Sequence, residues 1–277
     1  MNGFLATSII SLFFLSSCYG STVVSPLASV LTTGRYRGHV IQLDDTNETI
    51  HRHYMKILRN YKDTAFSSRE WEVLKKTKDG IEIAISFSGN DPDCPYIRMR
   101  AVMPSSAQSL FNFMSFSNWK TFMPIINPFY EGMSVMNEMT VDNKRLVVAR
   151  KHSTAIFGFG KRDFSILADA SGSPMMDGDV LMSGTISVIS PHQIPRYRGF
   201  TRAYQDLVCF YRPLKRTQEG SDQTELTIML RTDLNDSAEG GTGGSIPMWL
   251  VVKTFGLAGS KAMHVLRNVV RKQMNGL

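Results

Sequence analysis

The sequence predicts an α+β domain in which a long C-terminal helix covers one face of an antiparallel sheet. Three observations carry that expectation. Apolar residues recur at three-to-four spacing near residue 50 and again after residue 247, whereas the stretch between has period two. The period-two segments follow one another across short Gly-, Asp- and Asn-bearing turns, which suit hairpins and leave no room for parallel crossovers. A helix that follows such a sheet has to bury its apolar stripe, and an open sheet face is the surface available.

Residues 49–61 form the first expected helix, with Ile50, Tyr54, Ile57, Leu58 and Tyr61 in register, and Trp71, Val73 and Leu74 suggest a short second one. The period then changes to two. Ile81, Ile83, Ile85 and Phe87 alternate with Glu82, Ala84 and Ser86, and residues 97–103 repeat the pattern with Arg98 and Arg100 on one face. Pro104-Ser105-Ser106 opens a helix, because a serine caps the free amides and Leu110, Phe111 and Met114 follow at helical spacing. Strands are expected at 133–139, 145–151, 164–170, 180–189, 199–214, the last bent or bulged, and 224–234. Pro247 in a first-turn position begins a helical segment running to about residue 273. No self-similar period is present, which excludes repeat architectures.

The chain of 277 residues is 43% hydrophobic and only 20% charged, so it is a globular protein, and three cysteines are too few for a disulfide scaffold. Residues 4–15 (FLATSIISLFFL) are an apolar run with the length of a signal-peptide core and short for a bilayer span. Cys18 and Gly20 occupy the small-residue positions of a site cutting before Ser21, so residues 1–20 are expected to be a signal peptide leading to the secretory pathway or to secretion. Leu15-Ser16-Ser17-Cys18 can also be read as a lipobox, against which the absence of a basic residue before the run counts equally. Residues 21–48 are a linker or a transit segment leading to an organelle lumen, since Ser21 to Gln42 lack acids while Ser, Thr, Arg35 and Arg37 recur. Residues 49–277 are the folded domain. In it Cys94 and Cys209 permit one disulfide and fit equally as two buried thiols, and the sequons at Asn47 and Asn235 are weak signals.

The chain contains no G-x-x-x-x-G-K-[ST], G-x-S-x-G, H-E-x-x-H or C-x-x-C. Phosphate-loop, nucleophile-elbow and common zinc chemistries therefore lack their residues, and no catalytic group, metal or cofactor is expected. His51 and His53 point to different faces of a helix, and the glycine run 240–244 precedes a helix without a lysine to meet a phosphate. The net charge of +7 arises largely in residues 247–277, where Lys253, Lys261, Arg267, Arg271 and Lys272 stand without an acidic residue. Ala262, Leu266, Val269 and Val270 line one side of that segment, and Lys261, His264, Arg267 and Arg271 fall largely on the other. Such a helix is either a membrane-surface contact or an ordinary surface helix packed on the sheet; a patch for duplex nucleic acid it is not.

Four motifs in order give the chain a resemblance. Lys161-Arg162-Asp163-Phe164, then PRYRGFTRA over 195–203, then TELTIMLRTDL over 224–234, then Ile246-Pro247-Met248-Trp249-Leu250 are similar to the signatures of the START domain, the steroidogenic-acute-regulatory-related lipid-transfer family. The resemblance spans residues 71–273 and is nearest the phosphatidylcholine-transfer type. It implies the helix-grip fold: a curved antiparallel sheet of about nine strands around a long C-terminal helix, with an internal lipid cavity. It implies a monomeric carrier of one phospholipid-sized lipid, in transient contact with membrane surfaces, with no covalent chemistry. An acyl chain entering such a cavity gains about 0.8 kcal/mol per buried methylene.

The resemblance also assigns residues. The loop 154–160 becomes the gate over the cavity, with Ile156, Phe157 and Phe159 touching the bilayer, although an apolar loop is also what a buried hairpin end looks like. Lys261, Arg267, Arg271 and Lys272 would hold the adjoining helix against anionic headgroups. Phe122 and Tyr130 fall on aromatic positions of a choline cage, with Trp119 nearby and Trp249 of the last motif also lining the ligand; Met123 and Pro124 depart from the choline-binding pattern. Arg98 and Arg100 are candidates for a lipid phosphate, since the guanidinium fork suits two oxygens, but alternation does not say whether their face looks inward. Arg162, Asp163 and Arg202 serve either a structural ion pair or a lipid contact. A lipid-sensing or tethering protein and a helix-grip enzyme are the rival readings. The enzyme requires titratable groups at the cavity floor, and none of His152, His192 or His264 lies in a motif that places it there.

Overall fold

The structure is a computed structural model and describes residues 40–67, 71–88, 91–127, 129–154, 160–189, 194, 198–214, 222–233 and 248–274. The first element is a short strand β1 (Ile41–Gln42) that pairs in parallel with β9 (Val180–Ile189) through Ile41 and Val188. The folded unit thus begins inside the stretch expected to be linker. Helix α1 (Asn47–Phe66) follows, capped by the Thr46 hydroxyl, which accepts from the Thr49 amide at 3.3 Å. It buries Ile50, Tyr54, Ile57, Leu58, Tyr61 and Ala65, the stripe the periodicity predicts, and runs one turn past the expected end.

Residues 71–76 depart from expectation. Instead of a helix they form the edge strand β2 (Glu72–Lys76), paired with β3 (Glu82–Ser88) and bulged between Val73 and Lys75. Leu, Lys and Glu favour helix only weakly, and a free sheet edge offering backbone hydrogen bonds overrides that preference. β4 (Asp91–Met103) completes the first hairpin. α2 (Ala107–Met114) begins where Ser106 accepts from the Ser109 amide, and after one 3₁₀ turn α3 (Trp119–Ile126) follows, a helix the sequence had concealed behind Pro124.

The remaining strands are β5 (Tyr130–Val141), β6 (Lys144–Ser153), β7 (Arg162–Asp169), β8 (Met175–Asp177), β9, β10 (Thr201–Pro213) and β11 (Thr224–Asp233), and the chain closes with α4 (Met248–Met274). Nine strands lie in the order β2-β3-β4-β11-β10-β9-β7-β6-β5, with β1 and β8 attached to β9. β10 changes neighbour along its length. Leu207 to Tyr211 run antiparallel to β9, while Thr201 to Ala203 pair in parallel with Arg162 to Phe164 of β7. That change is the bend expected for this segment.

The central strands of the sheet are buried on both faces. On one, Ile83, Ile85, Ile97, Ala101, Ile228 and Leu230 pack with Met263, Leu266 and Val270 of α4. On the other, Tyr54, Leu58 and Tyr61 of α1 pack with Met182, Val208, Phe210 and Met229. A buried polar pair crosses the α1 face: Tyr61 donates to Asp206 Oδ2 at 2.8 Å, and Asp206 Oδ1 accepts from the Ser187 amide at 2.8 Å. Cys94 and Cys209 are buried thiols, so the disulfide is not formed, and burial pushes the Cys209 thiol up to about 12.

Gly184 shows how closely α1 approaches. A Cβ there would stand 2.9 Å from Leu58 Cδ2 and 3.1 Å from the Leu207 carbonyl oxygen. Gly184→Ala should therefore cost about 1–3 kcal/mol by overpacking, measured as a lower midpoint in urea with an unchanged m-value.

Among the described residues no helix is long and apolar enough to cross a membrane.

Candidate functional site

The face beneath α4 is the candidate site, and its geometry follows from strand alternation. Gly259 lets the helix backbone settle on the sheet: a Cβ there would meet Met99 Sδ at 3.1 Å and Ile83 Cδ1 at 3.5 Å. Ile97, Met99, Ala101 and Met103 of β4 consequently face α4, together with Leu226, Ile228 and Leu230 of β11 and Phe164 and Ile166 of β7. α2 and α3 close the same side, where Phe111 stands edge-on to Tyr211 at 5.8 Å and Phe113 edge-on to Phe122 at 5.7 Å. These side chains are apolar, which suits hydrocarbon and repels water, while Thr185 and Ser187 of β9 and Arg162 of β7 bring buried polar groups to the same face.

Phe122 and Tyr130 both reach this face. Phe122 is buried, and Tyr130 is half-buried beside the apolar cluster, its hydroxyl pKa raised by burial. The Trp249 side chain and the loop residues Ile156, Phe157 and Phe159 lie outside the described residues.

Arg98 and Arg100 do not reach it. Since their neighbours on β4 point to α4, both arginines project from the opposite face. Arg98 is buried there against the end of α1, donating to the Ala65 carbonyl and to Glu82 Oε1, each at 3.0 Å, with its guanidinium 4.3 Å from the Trp71 ring centre. Arg100 lies 3.8 Å from Glu225 Oε1. The expectation of a lipid-phosphate fork is corrected: Arg98 ties α1 to β3 and β4, and Arg100 pairs across to β11.

Arg202 is likewise structural. Its guanidinium grips the fully buried Asp163 carboxylate at 3.1 and 2.8 Å, across the parallel pairing of β10 with β7, and donates also to the Ile194 carbonyl at 3.3 Å. The signature turn therefore carries an ion pair between Asp163 and Arg202, while Arg162 donates to the Gly160 carbonyl at 2.6 Å.

The basic helix divides. Lys261, Arg271 and Lys272 are exposed, but Arg267 is buried, donating to Asp79 Oδ2 at 2.5 Å and to the Asp79 carbonyl at 3.1 Å. The expected membrane role of Arg267 is corrected, because its side chain ties α4 to the turn between β2 and β3. Register places that turn at the end of the sheet opposite Ser153 of β6 and Arg162 of β7, where β6 and β7 are joined.

One polar group on the α4 face escaped sequence reasoning. Lys151 of β6 is 2% exposed, with its ammonium 4.3 Å from the Phe164 ring centre and donating to Gln205 Oε1. Gln205 Nε2 in turn donates to Thr232 Oγ1 at 3.0 Å. Burial pushes the ammonium down to about 7. Its signal in the sequence was a lysine two residues after the run Leu146 to Ala149, which is apolar on both faces of the strand. No group of three or more His, Cys, Asp or Glu among the described residues is arranged to hold a metal ion.

No family model and no curated protein matches the sequence. Solved structures do match. Human StAR-related lipid transfer protein 5 superposes with a TM-score of 0.64 at 16% identity, covering 82% of this chain and 99% of that one. Human STARD10 gives 0.59 at 16% identity over 78% of this chain and 79% of the other. The human StarD13 (DLC2) lipid transfer and protein localization domain gives 0.54 at 17% identity over 78% and 95%. The architecture is thus the START-like helix-grip fold.

Proposed function

We propose that this chain, with its START-like helix-grip fold, is a lipid-binding and lipid-transfer protein that carries one phospholipid-sized lipid between the sheet and α4. The observation that carries the reading is the continuous apolar face under α4, bounded by α2 and α3 and lined by aromatic rings, in a fold shared with proteins titled lipid-transfer proteins. Binding there is driven by removing hydrocarbon from water, so no nucleotide, metal or covalent step is needed, and the protein acts as a carrier and not as an enzyme. Release takes place at a membrane surface, with Ile156, Phe157 and Phe159 as the contact. The apolar run at residues 4–15 directs the chain into the secretory pathway, where it meets lumenal membrane surfaces.

The test is transfer between two vesicle populations, one carrying a labelled lipid. The full chain should move lipid over repeated cycles without nucleotide or metal, and binding should saturate at one lipid per chain. Phe157→Ser with Phe159→Ser should slow transfer several-fold while leaving equilibrium binding unchanged. A folded sample that neither binds nor moves a phospholipid, a fatty acid or a sterol would reject the carrier reading.

A further inference from the structure

A buried ammonium is costly unless something negative answers it. Lys151 sits in that position on the α4 face. Among the described residues only the Gln205 amide oxygen and the Phe164 ring are recorded against it, and no carboxylate pairs with it. An ammonium has three hydrogens to donate, and a single amide oxygen takes one.

The neighbours are arranged to offer further donors. The ammonium fixes the Gln205 amide with its oxygen toward Lys151, which turns Nε2 to Thr232 Oγ1 at 3.0 Å. The Thr232 oxygen is thereby occupied as an acceptor, and its own proton is left to donate. The Gln205 backbone is held as well, its amide donating to Ser187 Oγ at 2.7 Å. The cluster thus presents a charged donor and a hydroxyl donor side by side, an arrangement whose complement is an anionic oxygen acid.

Its place in the fold favours a ligand's polar end. Lys151, Thr232 and Gln205 lie toward the ends of β6, β11 and β10 where β6 closes against Arg162 of β7, whereas the part of the face that meets α4, at Ile83, Ile97, Ala101, Ile228 and Leu230, is apolar. Met133 of β5 pairs with Lys151 in register, and Tyr130 precedes it on the same strand. A quaternary ammonium brought to this end of the face would be repelled by the protonated Lys151, which opposes choline.

Resting on the carrier reading above, we propose that Lys151, Gln205 and Thr232 receive the ionised acid group of the lipid carried beneath α4, so that the ligand is an acidic amphiphile with a terminal phosphate or carboxylate. The test offers the full chain vesicles doped in parallel with phosphatidic acid, oleate, diacylglycerol or phosphatidylcholine, and measures uptake per chain, with Lys151→Met and Thr232→Val as variants. Wild type should prefer phosphatidic acid or oleate to diacylglycerol by about tenfold or more, as expected for a charge-assisted contact. Lys151→Met should lose that preference and keep diacylglycerol uptake, which shows that the variant is folded. Thr232→Val should reduce the preference partially. Equal uptake of acidic and neutral lipids by wild type, or a preference that survives in Lys151→Met, overturns the proposal while leaving the carrier reading intact. Uptake of no lipid at all removes both. Inorganic phosphate is the remaining arm: if it alone protects wild type and not Lys151→Met from thermal unfolding at submillimolar concentration, the cluster serves a free anion and the lipid assignment falls.

Discussion

Arg202→Met should destabilise the protein by about 3–5 kcal/mol, because it strands a buried carboxylate without its counter-charge. Asp163 has no exposed surface, and the two guanidinium bonds at 3.1 and 2.8 Å answer both of its oxygens. The pair also stitches β10 to β7 at the point where β10 leaves β9, so its loss acts on the seam that bends the sheet. For a domain of this size the melting temperature should fall by roughly 10 °C. Adding Asp163→Leu should recover much of the loss, since a buried pair replaced by apolar groups is often neutral where half a pair is not. A fall under about 2 °C in the single variant would show that the ion pair is not what holds the signature turn.

Lys151→Met should stabilise the ligand-free protein near neutral pH, and the gain should shrink as the pH rises. Burial lowers the folded-state ammonium from 10.5 to about 7, so between those values the unfolded chain holds a proton that the folded chain lacks. Raising the pH through that window removes the unfolded chain's advantage, and wild-type stability climbs toward that of the variant. Below pH 7 both states are protonated and the full penalty of the buried charge remains. Urea unfolding at pH 6, 8 and 10 should show a difference of a few kcal/mol at the lowest pH and little at the highest. Parallel stability profiles for the two proteins would mean that Lys151 is solvated or paired.

The sequence made the hairpins legible because each change of period is bracketed by a turn. Val180–Ile189 is found as expected, Ser106 caps the helix assigned to it, and the C-terminal helix ends within a residue of its expected position. What alternation did not disclose was side. With α1 on one face and α4 on the other, both sets of residues on β4 are covered, and Arg98 could be assigned inward or outward with equal consistency. Arg267 was misplaced for a different reason. Met263, Leu266, Arg267 and Val270 form one stripe at helical spacing, so position placed it with the buried residues while charge suggested solvent. Lys151 is hidden in the same way, because a lysine is seldom buried. The edge strand β2 was hidden because local preference is weak beside an unsatisfied sheet edge.

The central claim is that one lipid occupies the space between the sheet and α4. Native mass spectrometry of the full chain, purified without detergent from a lipid-containing host and followed by solvent extraction of the same sample, tests it most directly. The account predicts a folded species heavier than the polypeptide by the mass of one lipid, released on extraction and enriched in species bearing a phosphate or carboxylate. A folded, homogeneous species at the polypeptide mass that takes up no lipid from added vesicles would contradict it.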